Sequence, residues 1–177
     1  MRLFPCGQIP ATLVLSLELA LAGCNSAPAP TRPFDAAEAA FIRKEGAATI
    51  DGHAFLRDRT GQGNTRNAAG EVVRLIPATA YARERFTQLY GASKFLPASN
   101  IPKYEADPDY VAYTRTTKAE SSGRFTFDHV APGTYFVTTQ LTWKQKDAFL
   151  SEGGAMYEEV TITGRETQPV KVVLSGN

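Results

Sequence analysis

Cysteine, histidine and tryptophan are scarce in this chain. Its 177 residues include two cysteines, two histidines and one tryptophan. Cys6 and Cys24 both lie near the N-terminus, so the rest of the chain has no cysteine pair with which to form a disulfide. His53 and His129 do not form a metal-binding spacing such as His-x-x-x-His. We therefore expect neither a disulfide framework nor a histidine-based metal site.

An excess of charge of one sign is also lacking. The chain has 19 basic and 18 acidic residues, which are intermixed, and its formal net charge is +1. Proteins that bind nucleic acid normally present a basic patch or stripe. We therefore expect no nucleic-acid partner.

Residues 1–23 have the layout of a signal peptide. Arg2 precedes an apolar run from Ile9 to Leu21, and Glu18 places one carboxylate in that run. The run is shorter than the ~20 residues that span a bilayer, and no stop-transfer cluster of cations follows it. We predict that residues 1–23 are removed.

The sequence Leu21-Ala22-Gly23-Cys24 resembles the lipobox of bacterial lipoproteins. The resemblance implies that Cys24 is acylated, becomes the first mature residue and anchors the protein in the cell envelope. Asn25 in the next position implies release to the outer membrane where that sorting rule applies. Multiple acyl chains would hold the protein stably on the membrane. The alternative is an ordinary secretory signal with a chance cysteine, but a lone cysteine at the cleavage point favours acylation.

The mature chain, about 150 residues, suits a single domain. Residues 24–33 are rich in proline, alanine and serine and predict a flexible tether. Residues 34–46 predict a short helix, because Asp35 and Glu38 have the spacing of a capping box and a glycine ends the segment. Residues 47–177 then form the main domain.

Alternation of apolar and polar residues predicts strands through that domain. Seven strands are predicted, at residues 50–57, 72–76, 110–118, 124–128, 134–144, 157–163 and 170–174. In 134–144, Thr138, Gln140 and Thr142 form a polar face that only Phe136 interrupts. A helix with Thr79 as its cap is predicted between strands at 79–91, and a long loop at 92–108. The predicted fold is mainly β, a seven-stranded antiparallel β-sandwich with a short N-terminal helix and one inserted helix.

The run Ser-Gly-Arg-Phe-Thr-Phe-Asp-His-Val-Ala-Pro-Gly-Thr-Tyr at 122–135 resembles the hallmark of carboxypeptidase regulatory-like domains. Residues 52–56 and 70–77 resemble the first two strands of the same family, so the likeness extends over about 49–175. It implies a transthyretin-like sandwich. It implies little about activity, because such domains serve as accessory, adhesive or structural modules.

The same run has a direct structural interpretation. Pro132-Gly133 fits a type II turn, which predicts a hairpin from 124 to 143. In that hairpin Phe125 would pack with Tyr135 as an aromatic cross-strand pair.

Few residues are candidates for chemistry, and each also has a structural interpretation. His53 is expected in a strand and His129 in a turn. Glu105, Asp107 and Asp109 alternate as oxygen ligands of Ca²⁺ would, but no fixed glycine or helix-loop-helix spacing accompanies them, which favours a solvated turn.

Three further features weigh the same way. Gly61-Gln62-Gly63 predicts a hairpin loop and lacks the setting of a phosphate loop. Trp143 is either a sugar-stacking platform or a core residue, and its place on the apolar face favours the core. Arg83 and Arg85 are expected on the solvated face of the inserted helix.

The sequence thus assigns no catalytic, cofactor or metal residue, and Cys24 is its one predicted site. The leading hypothesis is a lipid-anchored, non-enzymatic module on the cell envelope, most simply at the outer membrane, with an envelope protein or a glycan as partner. One alternative is a structural or accessory subunit of an envelope assembly. The other is a hydrolase around His129 and the loop acids, which a pocket gathering Glu105, Asp107, His129 or exposed tyrosines would favour.

Overall fold

The computed structural model describes residues 30–57, 64–102, 106–146 and 148–176. The predicted signal peptide, the predicted acylation site at Cys24 and residues 24–29 of the predicted tether lie outside these ranges. Within them, no helix is long and apolar enough to span a bilayer.

The described part of the chain is built mainly from strands. Its strands are β1 (Glu45–Arg57), β2 (Thr65–Asn67), β3 (Val72–Pro77), β4 (Phe95–Pro97), β5 (Arg115–Lys118), β6 (Arg124–Val130), β7 (Gly133–Trp143), β8 (Glu152–Ile162) and β9 (Val170–Ser175). Its α-helices are α1 (Ala36–Ala39), α2 (Ala80–Tyr90) and α3 (Pro108–Ala112), and short 3₁₀ helices occupy Ala40–Arg43 and Ala98–Asn100.

The strands form two sheets. In the four-stranded sheet, β1 is the central strand. Along one edge it pairs antiparallel, first with β6 and then with β2, and along the other edge it pairs parallel with β9. The five-stranded sheet has the order β4-β8-β7-β3-β5, and all its neighbours are antiparallel. The predicted mainly β sandwich is therefore confirmed.

The main hydrophobic core lies between the two sheets. Alternation along each strand directs Ile50, Leu75, Tyr135 and Met156 into it, and all four are fully buried. Burying a large apolar side chain contributes about 1.5–3 kcal/mol relative to leaving it in water, so this layer supplies most of the folding free energy.

A second, smaller core lies on the outer face of the five-stranded sheet. Phe136, which interrupts the polar face of β7, is buried there because Phe86 of α2 stacks on it with ring centroids 4.2 Å apart. Tyr157 of β8 meets the Phe86 ring edge-on at 4.8 Å. The inserted helix predicted at 79–91 is present, and the Thr79 side chain caps it as predicted. Helix α2 thus covers one end of this sheet face.

The N-terminal helix is shorter than the predicted 34–46, because β1 takes over the last of those residues. Asp35 caps α1 as predicted, by accepting a hydrogen bond from the backbone N–H of Ala37 at 2.8 Å. Glu38 does not complete the capping box. Its carboxylate instead accepts a hydrogen bond from the backbone N–H of Ala80 at 2.8 Å and so caps α2.

The strand prediction needs two corrections. The structure adds β2 and β4, which are too short to show alternation in the sequence, so the predicted number of seven is too low. The sandwich is also not wholly antiparallel, because β9 runs parallel to β1.

The predicted hairpin over 124–143 is wrong. β6 belongs to the four-stranded sheet and β7 to the five-stranded sheet, so Pro132-Gly133 leads from one sheet to the other. Phe125 and Tyr135 face the core from opposite sheets and are not cross-strand neighbours. Both strands have an apolar face, and a connection between sheets buries those two faces against each other.

Residues 110–118 are predicted as one strand, but β5 begins only at Arg115. Helix α3 takes the first part, because the Asp107 carboxylate accepts hydrogen bonds from the first N–H groups of the helix and Pro108 occupies its first turn, where no donor is needed. The loop predicted at 92–108 is interrupted in the same way, by β4 and the 3₁₀ helix that follows it.

Candidate functional site

A groove of about 420 Å³ lies on the outer face of the five-stranded sheet, beside the part that α2 covers. Its size falls in the range of ~300–1,000 Å³ that is typical of small-ligand sites. We call it the sheet groove. Its lining residues are Arg74, Ile76, Arg85, Phe86, Leu89, Tyr90, Ala106, Tyr110, Val111, Thr114, Thr116, Thr138 and Gln140.

The floor of the sheet groove is a polar row across three strands. Strand register places Arg74 of β3 between Thr116 of β5 and Thr138 of β7. Gln140 lies two residues further along β7 and therefore on the same face. The floor thus presents one guanidinium, two hydroxyls and one amide, which together donate and accept hydrogen bonds.

Helices α2 and α3 supply the walls. Phe86 and Tyr90 are one helical turn apart on α2, and their rings stack with centroids 5.4 Å apart. Tyr110 of α3 is held by Tyr81 at 5.3 Å and by Phe34 at 6.2 Å. These packed aromatic rings fix the walls relative to the floor.

The wall phenols stay protonated at neutral pH. Burial raises the pKa of Tyr90 and of Tyr110 above the ordinary tyrosine value. The hydroxyl of Tyr90 is hydrogen-bonded with the Thr138 side chain, and that of Tyr110 with the Arg85 guanidinium. The Arg85 Cζ atom also lies 5.6 Å from the centroid of the Tyr110 ring. The walls therefore fix the positions of polar groups at the edge of the groove.

The sheet groove continues along β3 and β7 into a smaller depression of about 160 Å³. Arg74 and Gln140 line both cavities, and Glu71, Val72 and Thr142 line only the smaller one. The surface open to a ligand is therefore elongated along the strands, with Arg74 at the junction.

The described residues of the sheet groove suit hydrogen bonding to a polar ligand. Their polar groups are amides, hydroxyls and guanidinium ions, and neither a carboxylate nor an imidazole lines the larger cavity within the described ranges. In the same ranges, no three His, Cys, Asp or Glu side chains converge as a metal site would require.

The histidines lie away from the sheet groove. The Nε2 atom of His53 is 2.9 Å from the backbone oxygen of Ser122, and its ring packs on Phe55 at 4.9 Å. His129 is exposed near the end of β6 with a φ of 54°. Its backbone oxygen accepts a hydrogen bond from Arg115 at 3.3 Å. His53 thus lies in a strand, as predicted, whereas His129, predicted in a turn, belongs to strand β6.

The two loop acids that the structure describes belong to the start of helix α3. Asp107 caps α3, and Asp109 lies in the first turn of that helix. Glu105 and the Gly61-Gln62-Gly63 segment lie outside the described residues.

Trp143 and Arg83 also have structural partners. Trp143 packs against the main core, and its Nε1–H donates to Glu152 at 2.9 Å. The Arg66 guanidinium lies 4.7 Å from the Trp143 ring, so the ring is not open to a sugar on that side. Arg83 forms an ion pair with Glu159 at 2.8 Å on the solvated side of α2, as its place on the helix predicts. Arg85, predicted on that same side, instead lines the sheet groove.

Sequence reasoning missed the floor of the groove. The sequence shows Gln140 and Thr138 only as part of the polar face of a strand, and a strand face that is merely exposed to solvent has the same pattern. One signal was present: a groove wall was encoded by Asp107 and Pro108, the cap and first-turn pair that starts α3 and brings Tyr110 over the sheet.

Comparison with known proteins finds one strong structural likeness. No protein-family model and no curated protein matches the chain. The crystal structure of a "putative carbohydrate binding protein" from Pseudomonas aeruginosa is similar over 81% of this chain and 98% of its own, with 31% identity and a TM-score of 0.66.

Two pilin structures are more distant. A minor pilin of Streptococcus agalactiae is 13% identical with a TM-score of 0.35, over 76% of this chain and 46% of its own. A streptococcal ancillary pilin is 14% identical with a TM-score of 0.32, over 72% of this chain and 32% of its own. Likenesses this weak do not bear on function.

Proposed function

Since this chain belongs to the family of the Pseudomonas aeruginosa protein described as a "putative carbohydrate binding protein", we propose that it is a non-enzymatic module that binds a carbohydrate. The sheet groove is the proposed site. The observation that supports this choice is the polar row on its floor, Thr116, Arg74 and Thr138, which lies open beside walls of packed aromatic rings.

A carbohydrate needs two kinds of contact, and the sheet groove offers both. The hydroxyl groups of a sugar each donate and accept hydrogen bonds, and the Gln140 amide and the Thr116 hydroxyl can do the same. The C–H faces of a sugar ring pack well against apolar surface, and Ile76 and Leu89 supply such surface beside the polar floor. The elongated shape suits an oligosaccharide lying along β3 and β7.

The proposal is tested by isothermal titration calorimetry with a panel of neutral and acidic oligosaccharides. Replacing Gln140 or Thr116 with alanine should weaken binding about fivefold to tenfold, since one hydrogen bond contributes about 1 kcal/mol. Both side chains are exposed on the sheet surface, so the fold should tolerate either change.

Gln168→Ala is the matched control, because Gln168 is an exposed glutamine in the connection between β8 and β9, outside the groove. It should bind like the unaltered protein. Failure of the whole panel to bind, or equal binding by the Gln140→Ala and Gln168→Ala variants, would contradict the proposed site.

We also propose that the module is displayed on the cell envelope through acylated Cys24. Backbone N–H groups of Thr31 and Arg32 donate to the Glu84 carboxylate at 2.8 and 3.3 Å, which ties the chain to α2 close to its first described residue, Pro30. Five residues lie between Cys24 and Pro30, and the chain from one to the other can reach at most about 20 Å. An acyl anchor would therefore hold the domain near the membrane surface.

Mass spectrometry of the protein purified from membranes tests the anchor. The expected N-terminal fragment begins at Cys24 and bears acyl chains, and Cys24→Ser should release the protein from the membrane fraction. An unmodified N-terminus at another residue would show that the segment is an ordinary secretory signal.

A further inference from the structure

We infer that the carbohydrate bound in the sheet groove is acidic, and that a carboxylate or sulfate group on the sugar pairs with Arg74. The inference rests on the proposed function and adds the chemical class of the ligand. Its central observation is a cation in the middle of a sheet face to which no carboxylate of the described residues is paired.

Arg74 is exposed on β3, an interior strand of the five-stranded sheet. Its neighbours across the sheet, Thr116 and Thr138, are both neutral. Among the described residues, its guanidinium makes no ion pair and no hydrogen bond. The five N–H donors of Arg74 are therefore available to a ligand.

Three cations of the described residues form ion pairs with carboxylates, and Arg74 is not among them. Arg83 of α2 is 2.8 Å from the Glu159 carboxylate. Lys171 of β9 is 2.8 Å from the Asp51 carboxylate on the neighbouring strand β1.

The described lining of the larger cavity carries charge of the same sign. Arg74 and Arg85 line the larger cavity, whose described residues include no acid. Glu71 lines the smaller depression at the far end, but no ion pair joins it to Arg74. The described lining of both cavities therefore has two guanidinium groups against one carboxylate.

The shape of the guanidinium decides the type of acid. Arginine presents parallel N–H groups that match the two oxygens of a carboxylate or sulfate, and such charge-assisted bonds are about twice as strong as neutral ones. The Thr116 hydroxyl beside Arg74 would orient a hydroxyl of the same sugar ring. A neutral sugar would leave the Arg74 charge without a counter-ion as the groove loses water.

Calorimetry with matched sugars tests the inference. The titrants are oligogalacturonates and oligoglucuronates, each beside its carboxyl-reduced neutral counterpart, and a sulfated neutral oligosaccharide distinguishes sulfate from carboxylate. Acidic members should bind at least tenfold more tightly than their neutral counterparts, because a hydrogen bond to a charged group contributes about 1.5–3 kcal/mol. That preference should shrink as salt is raised, because salt screens exposed charges.

Arg74→Gln should make the affinities for the acidic and neutral members of each pair equal, because the charge that distinguishes them is gone. Arg74→Lys keeps the positive charge but lacks the parallel N–H groups of arginine, so it should keep part of the preference. Arg57→Gln is the matched control, because Arg57 is an exposed strand arginine at the end of β1 in the other sheet. It should keep the full preference.

The outcomes separate the two proposals. Equal binding of acidic and neutral sugars, or a preference that survives Arg74→Gln, would overturn the inference while the groove remains a carbohydrate site. Absence of binding by every sugar would overturn both.

Discussion

The ring of Phe125 lies directly against Gly52, its partner across the β1–β6 pair. A methyl group at position 52 would overlap the carbon atoms of that ring. The backbone at Gly52 does not have a positive φ, so the glycine is required for space and not for conformation. This contact gives a physical role to the first glycine of the strand motif.

Gly52→Ala should therefore destabilise the protein by about 1–3 kcal/mol, the usual cost of overpacking a core. Urea denaturation followed by circular dichroism measures the change. Combining Gly52→Ala with Phe125→Leu should cost less than the sum of the two single changes, because the smaller side chain leaves room for the methyl group. Strictly additive costs would show that the two residues do not limit each other.

Tyr135 anchors the passage from β6 to β7. Its hydroxyl donates a hydrogen bond to the backbone oxygen of Ala131 at 2.8 Å, and the side chain is fully buried. Tyr135→Phe should cost about 1–3 kcal/mol, because the Ala131 oxygen loses its buried partner. Tyr113→Phe, a change at a half-buried ring, is the comparison variant. Equal unfolding midpoints for the two variants would contradict the role of Tyr135.

The same residue predicts how the protein responds to alkali. Burial raises the pKa of Tyr135 from its ordinary value of 10.0 to about 12. A raised pKa means that the folded state favours the protonated phenol. The contribution of Tyr135 to the free energy of unfolding is therefore intact below pH 10 and is lost as the pH rises from 10 through 12. The loss is on the order of 2 kcal/mol. Between pH 10 and 12 the Tm should fall less steeply with rising pH in Tyr135→Phe than in the unaltered protein. An equal slope in both proteins would count against the raised pKa of Tyr135.

Glu166 predicts the response to acid. Its carboxylate accepts hydrogen bonds from the backbone N–H and hydroxyl of Thr163 and from the N–H of Gly164, which lowers the pKa of Glu166 from 4.5 to about 2. A lowered pKa gives stability that is present above pH 4.5 and lost as the pH falls through 2. Glu166→Gln should lower the Tm at pH 7, and the difference should close toward pH 2. Glu45→Gln, at an exposed strand glutamate, should show no such pattern.

The sequence predicts the elements of this fold better than their partners. Alternation located β7 and β9 to within a residue or so, because a strand buried on one face shows that period directly. It could not show that β6 and β7 lie in different sheets, because a Pro-Gly turn can connect two strands of one sheet or two strands of different sheets. Pairing depends on contacts between distant segments, such as the parallel pairing of β9 with β1, that no local pattern encodes.

The candidate site was harder still to predict. Arg74, Thr138 and Gln140 look like ordinary solvated strand residues, and only the helices that rise beside them turn that surface into a groove. Phe136 was a usable signal, because an aromatic residue on a polar strand face indicates that something covers it there. The sheet groove thus arises from where α2 and α3 end, which depends on tertiary packing.

That dependence gives a last prediction, for the ring pair that holds α2 on the sheet. Phe86 is 5% exposed and stacks on Phe136, so Phe86→Ala should cost about 3–5 kcal/mol by leaving a cavity under the helix. Phe149→Ala is the matched control, since that ring is 97% exposed and its removal should change the stability by less than about 0.5 kcal/mol. Because α2 forms a wall of the sheet groove, hydrogen exchange in Phe86→Ala should rise in α2 and α3 before it rises in β1 and β6. Uniform exchange across both sheets would instead mean that the helix and the sandwich unfold as one unit.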